Sequence, residues 1–225
     1  MHANNLKYKF KYFARKIAGK KSTLAQKALC RLSQSANILE AGAHAGYDTV
    51  MLASLTKGSV YAFEPMPSLF DNMSTRVKQA GNVKPFCLAL GKTAGQAAFH
   101  VSSGDSDGSG SLLSPHKHLE TDPGVRFDTT INVEVVTLDN WKTRFTPDPV
   151  DFMWLDLQGS ELDVLKSGTS VLADTSTIYT EVSTIELYKN QSTFDELTAW
   201  LKDQGFRLLE AELPWEHTGN ALYVR

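Results

Sequence analysis

The feature that most constrains this chain is an apolar run that ends in an acid and two spaced glycines. Residues 37–49 read Asn-Ile-Leu-Glu-Ala-Gly-Ala-His-Ala-Gly-Tyr-Asp-Thr, which places Glu40 before Gly42 and Gly46. The pattern predicts a strand, a tight turn and a helix, because glycine tolerates positive φ and lets a ligand approach the backbone. The first N–H groups of such a helix point at whatever lies above the turn. The segment therefore predicts a nucleotide-type binding turn.

The acid distinguishes this turn from a pyrophosphate-binding one. A dinucleotide fingerprint has the order G-x-G-x-x-G, whereas here Glu40 precedes the first glycine and the glycines are four apart. A carboxylate at a strand end suits a cation, and S-adenosylmethionine carries an ammonium group and a sulfonium. Glu40 is therefore predicted to accept a hydrogen bond from that ammonium. A turn with two glycines is also common as plain structure in α/β proteins.

A second acid ends the next predicted strand. This strand is predicted at 59–63, which reads Ser-Val-Tyr-Ala-Phe, and it is followed by Glu64 and Pro65. Ligands of parallel sheets lie at the carboxyl ends of the strands, so Glu64 is predicted to accept from the ribose diol of a bound nucleoside. Pro65 keeps the residue before it extended. The alternative is a strand that ends in a solvated acid.

The third strand is predicted at 83–88, and Ala89 and Leu90 follow it. Small or apolar residues at that position suit a flat adenine ring. The complete set of predicted cofactor-binding residues is Glu40, Gly42, His44, Gly46, Asp48, Thr49, Glu64, Pro65, Ala89, Leu90 and Asp156.

Two later strands supply candidates for the catalytic base. The apolar run 151–155 ends in Asp156, and the strand predicted at 177–182 contains Glu181. Asp156 is the first choice, because it ends a central strand whose carboxyl end faces the ligand cleft. Together the two acids could instead hold Mg²⁺ through oxygen ligands, although a metal-free site is favoured.

Residues 102–123 are rich in Ser, Gly and Asp and contain His116 and His118. Such a segment is either disordered or an active-site lid. The two histidines are alternative bases if the segment is a lid, and are merely solvated if it is not.

Four segments together resemble the FkbM family of S-adenosylmethionine-dependent O-methyltransferases. The segments are Glu-Ala-Gly-Ala-His-Ala-Gly at 40–46, Phe-Glu-Pro at 63–65, Leu-Ala-Leu-Gly at 88–91 and Leu-Asp-Leu-Gln-Gly-Ser-Glu at 155–161 with Val-Leu-Lys-Ser-Gly at 164–168. The resemblance implies a class I, Rossmann-like three-layer αβα sandwich with a mostly parallel seven-stranded sheet and an antiparallel last strand. It also implies methyl transfer to a hydroxyl of a sugar, polyol or related small molecule, with S-adenosylhomocysteine as the other product.

The chain departs from the family pattern near the expected chemistry. The family usually has Asp at 40, Asn at 44, Lys at 154 and Glu at 158, where this chain has Glu40, His44, Trp154 and Gln158. The loss of charge at 154 and 158 keeps a second hypothesis open. In it, the chain is a non-catalytic nucleoside-binding or scaffold protein that retains the fold.

The distribution of charge divides the chain in two. Residues 1–39 hold nine of the 23 lysines and arginines and none of the 25 acids. We expect a basic N-terminal helical segment at 1–35 and a methyltransferase domain at 36–225. The basic segment either packs on the acidic domain or contacts an anionic membrane surface peripherally.

Partners and location follow from what the sequence contains. The expected partner is a small-molecule or glycan acceptor, and nucleic acid is not favoured, because aromatic and basic residues are interleaved only at 7–16. No apolar run approaches the roughly 20 residues that span a bilayer. Cys30 and Cys87 lack metal-type spacing and are predicted to be buried thiols. The expected location is cytoplasmic.

Overall fold

The structure is a computed structural model that describes residues 23–225, and it is built on one large β-sheet. Its strands, in chain order, are β1 (Ile38–Ala41), β2 (Val60–Phe63), β3 (Val83–Phe86), β4 (Ala89–Leu90), β5 (Gly95–Gly104), β6 (Val125–Val136), β7 (Phe152–Leu155), β8 (Thr177–Ser183), β9 (Arg207–Glu212) and β10 (Thr218–Val224). Its helices are α1 (Thr23–Leu29), α2 (Tyr47–Ala53), α3 (Pro67–Val77), α4 (His118–Thr121), α5 (Leu138–Phe145), α6 (Glu161–Lys166), α7 (Thr169–Leu172) and α8 (Phe194–Asp203).

The main sheet has seven strands in the order β3-β2-β1-β7-β8-β10-β9. Neighbouring strands from β3 to β8 pair in parallel, whereas β10 runs antiparallel to both β8 and β9. Strands β1, β2 and β7 are buried along their whole length, which explains their uninterrupted apolar runs. The predicted mostly parallel sheet with an antiparallel last strand is confirmed.

Helices cover both faces of this sheet, because successive strand residues point to opposite sides. One face carries α1 and α2, which bury Leu24 and Leu52 against Ile38 and its neighbours. The other face carries the helices from α5 to α8, which contribute Trp141 and Leu201 to the buried core on that side. The molecule is therefore the predicted three-layer αβα sandwich.

A small second sheet replaces the helix that usually follows the third strand. It has the order β4-β6-β5, with β5 antiparallel to β6 and β4 parallel to β6. The predicted third strand at 83–88 is too long, since β3 ends at Phe86 and Ala89 already pairs with Val135 of the second sheet. The chain thus leaves the main sheet earlier than its apolar pattern indicates.

The described chain begins with α1, which packs on the β8–β10 side of the sheet. Ala25 and Ala28 are buried there, the amide of Leu24 donates to Glu212 (3.1 Å), and Lys27 forms an ion pair with Glu210. Most of the basic segment predicted at 1–35 lies outside the described residues. Its boundary and its role stay predictions.

Two further expectations concern the surface. Cys30 and Cys87 are both exposed, so the prediction of buried thiols is wrong. Cys30 follows the end of α1, and Cys87 lies in the link between β3 and β4. Within residues 23–225, no helix combines the length and apolar character needed to cross a membrane.

Candidate active site

A cavity of about 640 Å³ opens at the carboxyl ends of the parallel strands. Residues after β1, β2, β7 and β8 line it, together with the segment that links β5 to α4 and the β9–β10 hairpin. This is the edge at which open α/β sheets bind their ligands, because the loops diverge on either side of the central strands. The cavity therefore lies where the sequence predicts a cofactor.

The glycine turn after β1 owes its glycines to packing. A Cβ on Gly42, at φ 85°, would lie 1.8 Å from the carbonyl oxygen of Asp156, and one on Gly46, at φ 79°, would lie 2.8 Å from Cγ of Met73. His44, between them, also has positive φ (50°). The turn thus follows the end of β7 closely, which leaves the backbone of Gly42 and His44 on the cavity wall.

Glu64 links the glycine turn to the chain that follows β2. Its carboxylate accepts hydrogen bonds from the amides of His44 (2.9 Å) and Met66 (2.8 Å). Burial raises the pKa of Glu64 from 4.5 to about 7, against the opposing effect of the two amides. The acid is therefore not solvated, and it faces the cavity beside the turn.

Glu40, in contrast to Glu64, does not line the cavity formed by the described residues. It is inside β1, in register with Ala62 of β2 and Trp154 of β7, and is 1% exposed. Its carboxylate does not belong to the cavity lining formed by the described residues. Register partners of a parallel sheet share a face, so position 154 adjoins Glu40, and Trp154 packs on Tyr179 at 4.2 Å between ring centroids. The departure from the family pattern at Trp154 therefore lies outside the cavity lining formed by the described residues.

A single amide joins the two candidate bases. Nε2 of Gln158 donates to Oδ1 of Asp156 and to Oε2 of Glu181, each at 2.8 Å. Its Oε1 lies 3.0 Å from the hydroxyl of Tyr188. Burial raises the pKa of Tyr188, and the negative charges of Glu181 and Asp156 add to this effect, so the phenol stays protonated.

The backbone of Gln158 is held in the left-handed region, with φ 51°, and is followed by Gly159 at φ 99°. This conformation costs a residue with a Cβ roughly 1–2 kcal/mol. The backbone carbonyl of Gln158 accepts a hydrogen bond from the hydroxyl of the buried Ser111, at 2.8 Å. The turn after β7 therefore places the side chain of Gln158 between Asp156 and Glu181.

Glu161 begins α6 and also lines the cavity. Its Oε1 accepts from the amide of Leu157 at 2.8 Å, and burial raises the pKa of this carboxyl to about 7. Glu161 therefore both lies at the start of α6 and contributes to the cavity lining.

The segment between β5 and α4 forms one wall of the cavity. Tyr188 places its hydroxyl 2.8 Å from the carbonyl oxygen of Ser109, and Asp107 lies 3.1 Å from Nε2 of His44. His118 is 6% exposed, lies 5.3 Å from the Tyr188 ring, and has no hydrogen-bond partner for Nδ1 within the described chain. His116 is exposed and is not part of the lining formed by the described residues.

The far end of the cavity is lined by residues that belong to none of the sequence motifs. They are Ser183, Leu187, Tyr188, Gln191, Trp215 and Thr218. Trp215 is 50% exposed, although large aromatic side chains are usually covered. No local pattern marks these residues, because two separate loops bring them together.

The charge of the lining is strongly one-sided. Its carboxyl side chains are Asp48, Glu64, Asp107, Asp122, Asp156, Glu161 and Glu181. The described residues contribute two histidines to the lining, His44 and His118, and no lysine or arginine.

The structure therefore brings together most, but not all, of the predicted site residues. Those that line the cavity are Gly42, His44, Asp48, Glu64, Pro65, Ala89, Leu90, His118, Asp156 and Glu181. Those outside the lining formed by residues 23–225 are Glu40, Gly46, Thr49 and His116. The roles assigned to these residues stay predictions.

The strand order, the antiparallel β10 and the glycine turn define a class I methyltransferase fold. Fibrillarin from Aeropyrum pernix, solved with natively bound S-adenosyl-L-methionine, has a TM-score of 0.52 and 15% identity, over 95% of this chain and 76% of that one. SMU.1697c from Streptococcus mutans, solved with SAH, has a TM-score of 0.51 and 13% identity, over 88% of this chain and 93% of that one. At such identities the likeness shows the fold alone.

The sequence comparisons are more specific. Residues 40–208 match the family model described as the methyltransferase FkbM domain, so the chain belongs to the FkbM methyltransferase family. It is 35% identical over 160 residues to the 2-O-methyltransferase NoeI of Sinorhizobium fredii, an alignment that covers 68% of this chain and 66% of that protein. It is 29% identical over 128 residues to the hexuronic acid methyltransferase AglP of Haloferax volcanii, covering 56% and 48%. The chain thus spans just under two thirds of the first relative and about half of the second.

Proposed function

We propose that this protein transfers a methyl group from S-adenosylmethionine to a hydroxyl group of a sugar or related small molecule. The observation that carries the proposal is that the glycine turn and the Asp156–Gln158–Glu181 cluster share one cavity. Family membership and the two named methyltransferase relatives support it.

The cavity suits the cofactor. The close approach of Gly42 to the end of β7 leaves an exposed stretch of backbone for the methionine moiety, next to Asp48. Glu64 stands where it can accept from ribose hydroxyls, and Ala89 and Leu90 offer apolar surface for the adenine. The excess of carboxyl groups favours a ligand with a net positive charge. When bound, S-adenosylmethionine supplies an electrophilic methyl carbon and leaves as S-adenosylhomocysteine.

The chain's own residues would then position the acceptor and receive its proton. The acceptor oxygen attacks the methyl carbon, the carbon–sulfur bond breaks with its electron pair on sulfur, and the hydroxyl proton passes to a carboxylate. Asp156 is the proposed base, since it directly follows β7 beside the glycine turn. Gln158 fixes the orientation of Asp156 and Glu181, and Tyr188 fixes that of Gln158.

The same cluster bears on the alternative of a Mg²⁺ site. The amide nitrogen of Gln158 already lies between the two carboxylates, 2.8 Å from each. A divalent cation that bound both carboxylates would have to displace this donor. We propose that the amide takes the bridging role, and full activity in EDTA is the expected result.

The second hypothesis, a binding protein without activity, draws on the neutral side chain at Gln158. Calorimetry with S-adenosylmethionine, followed by transfer of labelled methyl to a panel of methyl glycosides, separates the two. Binding with transfer supports the enzyme. Binding without transfer to any acceptor supports the second hypothesis, and absence of binding contradicts both.

A further inference from the structure

We infer that the acceptor is an uncharged sugar ring that stacks on Trp215, and that the site rejects sugars bearing a carboxylate. The inference rests on the proposed function and names the substrate class for the same cavity. Three independent features of the described residues support it.

The first feature is the position of Trp215. It lies in the β9–β10 hairpin, where Thr218 pairs with Ser183 at the carboxyl end of β8. In the sheet, β10 is separated from β1 by β7 and β8, so at roughly 4.8 Å per strand the hairpin lies about 14 Å from the glycine turn. That separation puts Trp215 at the acceptor end of the cavity.

The exposure of Trp215 suits a stacking role. Half of its surface is open although it lines a cavity, which leaves a flat apolar face available to a ligand. One face of a pyranose consists of C–H groups, which pack against such a ring while the hydroxyls at the edge stay free. Polar side chains that could bind those hydroxyls line the same cavity, namely Ser183, Gln191 and Thr218.

The second feature is charge. The acceptor end contains Asp122, Asp156 and Glu181, and the described lining contains no lysine or arginine. Carboxylates accept strong hydrogen bonds from sugar hydroxyls. A uronic acid would instead bring a like charge among them, and the described lining offers no lysine or arginine to pair with it.

The third feature is His118. Its ring is almost completely buried, yet Nδ1 has no hydrogen-bond partner in the described protein. A buried polar atom normally finds a partner, so an unpaired one in a cavity wall indicates a ligand group. A hydroxyl can pair with Nδ1 in either tautomer of the ring, because it both donates and accepts, whereas an ionised carboxylate can pair only with a ring that carries a proton on Nδ1.

The inferred acceptor differs from the acceptor that the name of one relative gives. AglP is a hexuronic acid methyltransferase, and its alignment covers 56% of this chain. The chemistry of the present cavity predicts a different acceptor despite that similarity.

The test uses the full chain saturated with S-adenosylhomocysteine and matched methyl pyranosides of glucose, galactose and mannose. Each is compared with its uronic acid and with the neutral uronamide, which has nearly the shape of the acid. Binding is measured by calorimetry on this complex, and transfer is measured as kcat/KM in separate assays in which S-adenosylmethionine replaces S-adenosylhomocysteine. We expect at least one neutral sugar and its uronamide to bind within about threefold of each other, and the uronate at least tenfold more weakly. Added salt should reduce the difference in affinity between the uronate and the neutral sugar, because it screens the repulsion between the uronate and the carboxylates of the cavity.

Variants test the tryptophan directly. Trp215→Ala should weaken neutral-sugar binding at least tenfold and leave the Kd for S-adenosylmethionine within twofold, while Trp215→Phe should retain most of the affinity. Leu213→Ala is the matched control, since Leu213 is 40% exposed in the same hairpin and lies outside the described lining. It should change neither affinity.

Three results would overturn the inference: a uronate that binds as well as its neutral partner, equal effects of Trp215→Ala and Leu213→Ala, or S-adenosylmethionine binding without affinity for any pyranoside. Failure to bind S-adenosylmethionine is a different result, because it contradicts the proposed function itself.

Discussion

The two ends of the cavity differ in whether backbone or side chains form the lining. The end beside β1 and β2 is mainly backbone: a glycine turn that packs on Asp156, with Glu64 anchored by two amides. The end beside β8 and β10 is mainly side chain: Gln158, Tyr188 and Trp215. A backbone surface recognises a constant cofactor and tolerates little change, whereas a side-chain surface can vary with the acceptor. Mutations should therefore act differently at the two ends.

The largest expected effect separates chemistry from cofactor binding. Asp156→Asn keeps the shape of the proposed base and removes its charge, so kcat should fall about 10²–10⁴-fold. The Kd for S-adenosylmethionine, measured by calorimetry, should move less than about threefold. Normal turnover with every acceptor would place the base elsewhere, with His118 as the next candidate because it lines the same cavity.

The next effect is on folding at the backbone end. Gly42→Ala would place a Cβ 1.8 Å from the carbonyl oxygen of Asp156, so β1 and β7 must move apart. We expect a loss of about 2–4 kcal/mol in the free energy of unfolding, measured with urea, from overpacking and left-handed strain. Gly205→Ala is the control, since Gly205 has the same φ of 85° with nothing within 4 Å of the added Cβ. Equal losses would show that conformation alone requires glycine at 42.

A smaller effect links cofactor affinity to pH. Burial raises the pKa of Glu64 to about 7, so the carboxyl of the free protein takes up a proton as the pH falls below 7. Ribose hydroxyls need the ionised form as acceptor, so the Kd for S-adenosylmethionine should rise as the pH falls, by up to about tenfold from pH 7.5 to 6. Calorimetry in buffers of different ionisation enthalpy should detect proton release on binding near pH 7. A Kd constant over this range would remove Glu64 from the ribose contact.

The same shift has the opposite consequence for stability of the free protein. A carboxyl whose pKa is raised on folding binds more protons when folded, so its contribution to stability is greatest below pH 4.5 and is lost as the pH rises through 7. The pKa of Glu161 is also raised to about 7, so this carboxyl changes the stability with pH in the same direction. Cofactor binding should therefore stabilise the protein most clearly above pH 7, where the free protein contains buried ionised acids.

The smallest effect concerns the contact between the glycine turn and the cavity wall. His44 and Asp107 are 3.1 Å apart, and Asp107 is largely exposed. Exposed pairs contribute about 0–1 kcal/mol, so Asp107→Asn should change the Kd for S-adenosylmethionine less than about threefold. A tenfold change would mean that the β5–α4 segment closes over the cofactor and is not merely a wall.

The backbone end was largely predictable from local sequence. The short apolar runs before Gly42 and Glu64 predicted strands, and the acids and glycines after them predicted a cofactor edge that the structure places in one cavity. The position of Glu40 was not predictable in this way. A strand residue points to one face or the other according to where the strand lies in the sheet, and Glu40 points into the layer beside Trp154.

The sequence by itself determined the fold class and the family, and it predicted the cofactor end of the proposed site, because strands, turns and their acids are properties of short segments. Only the tertiary structure shows which residues form the other end of the cavity, where we propose that the acceptor binds. The order β7-β8-β10 brings Gln158, Glu181 and the Trp215 hairpin to one edge, and the loop after β8 adds Tyr188. Such contacts join residues that are far apart along the chain, and their geometry depends on how the layers pack, which no local pattern of residues encodes.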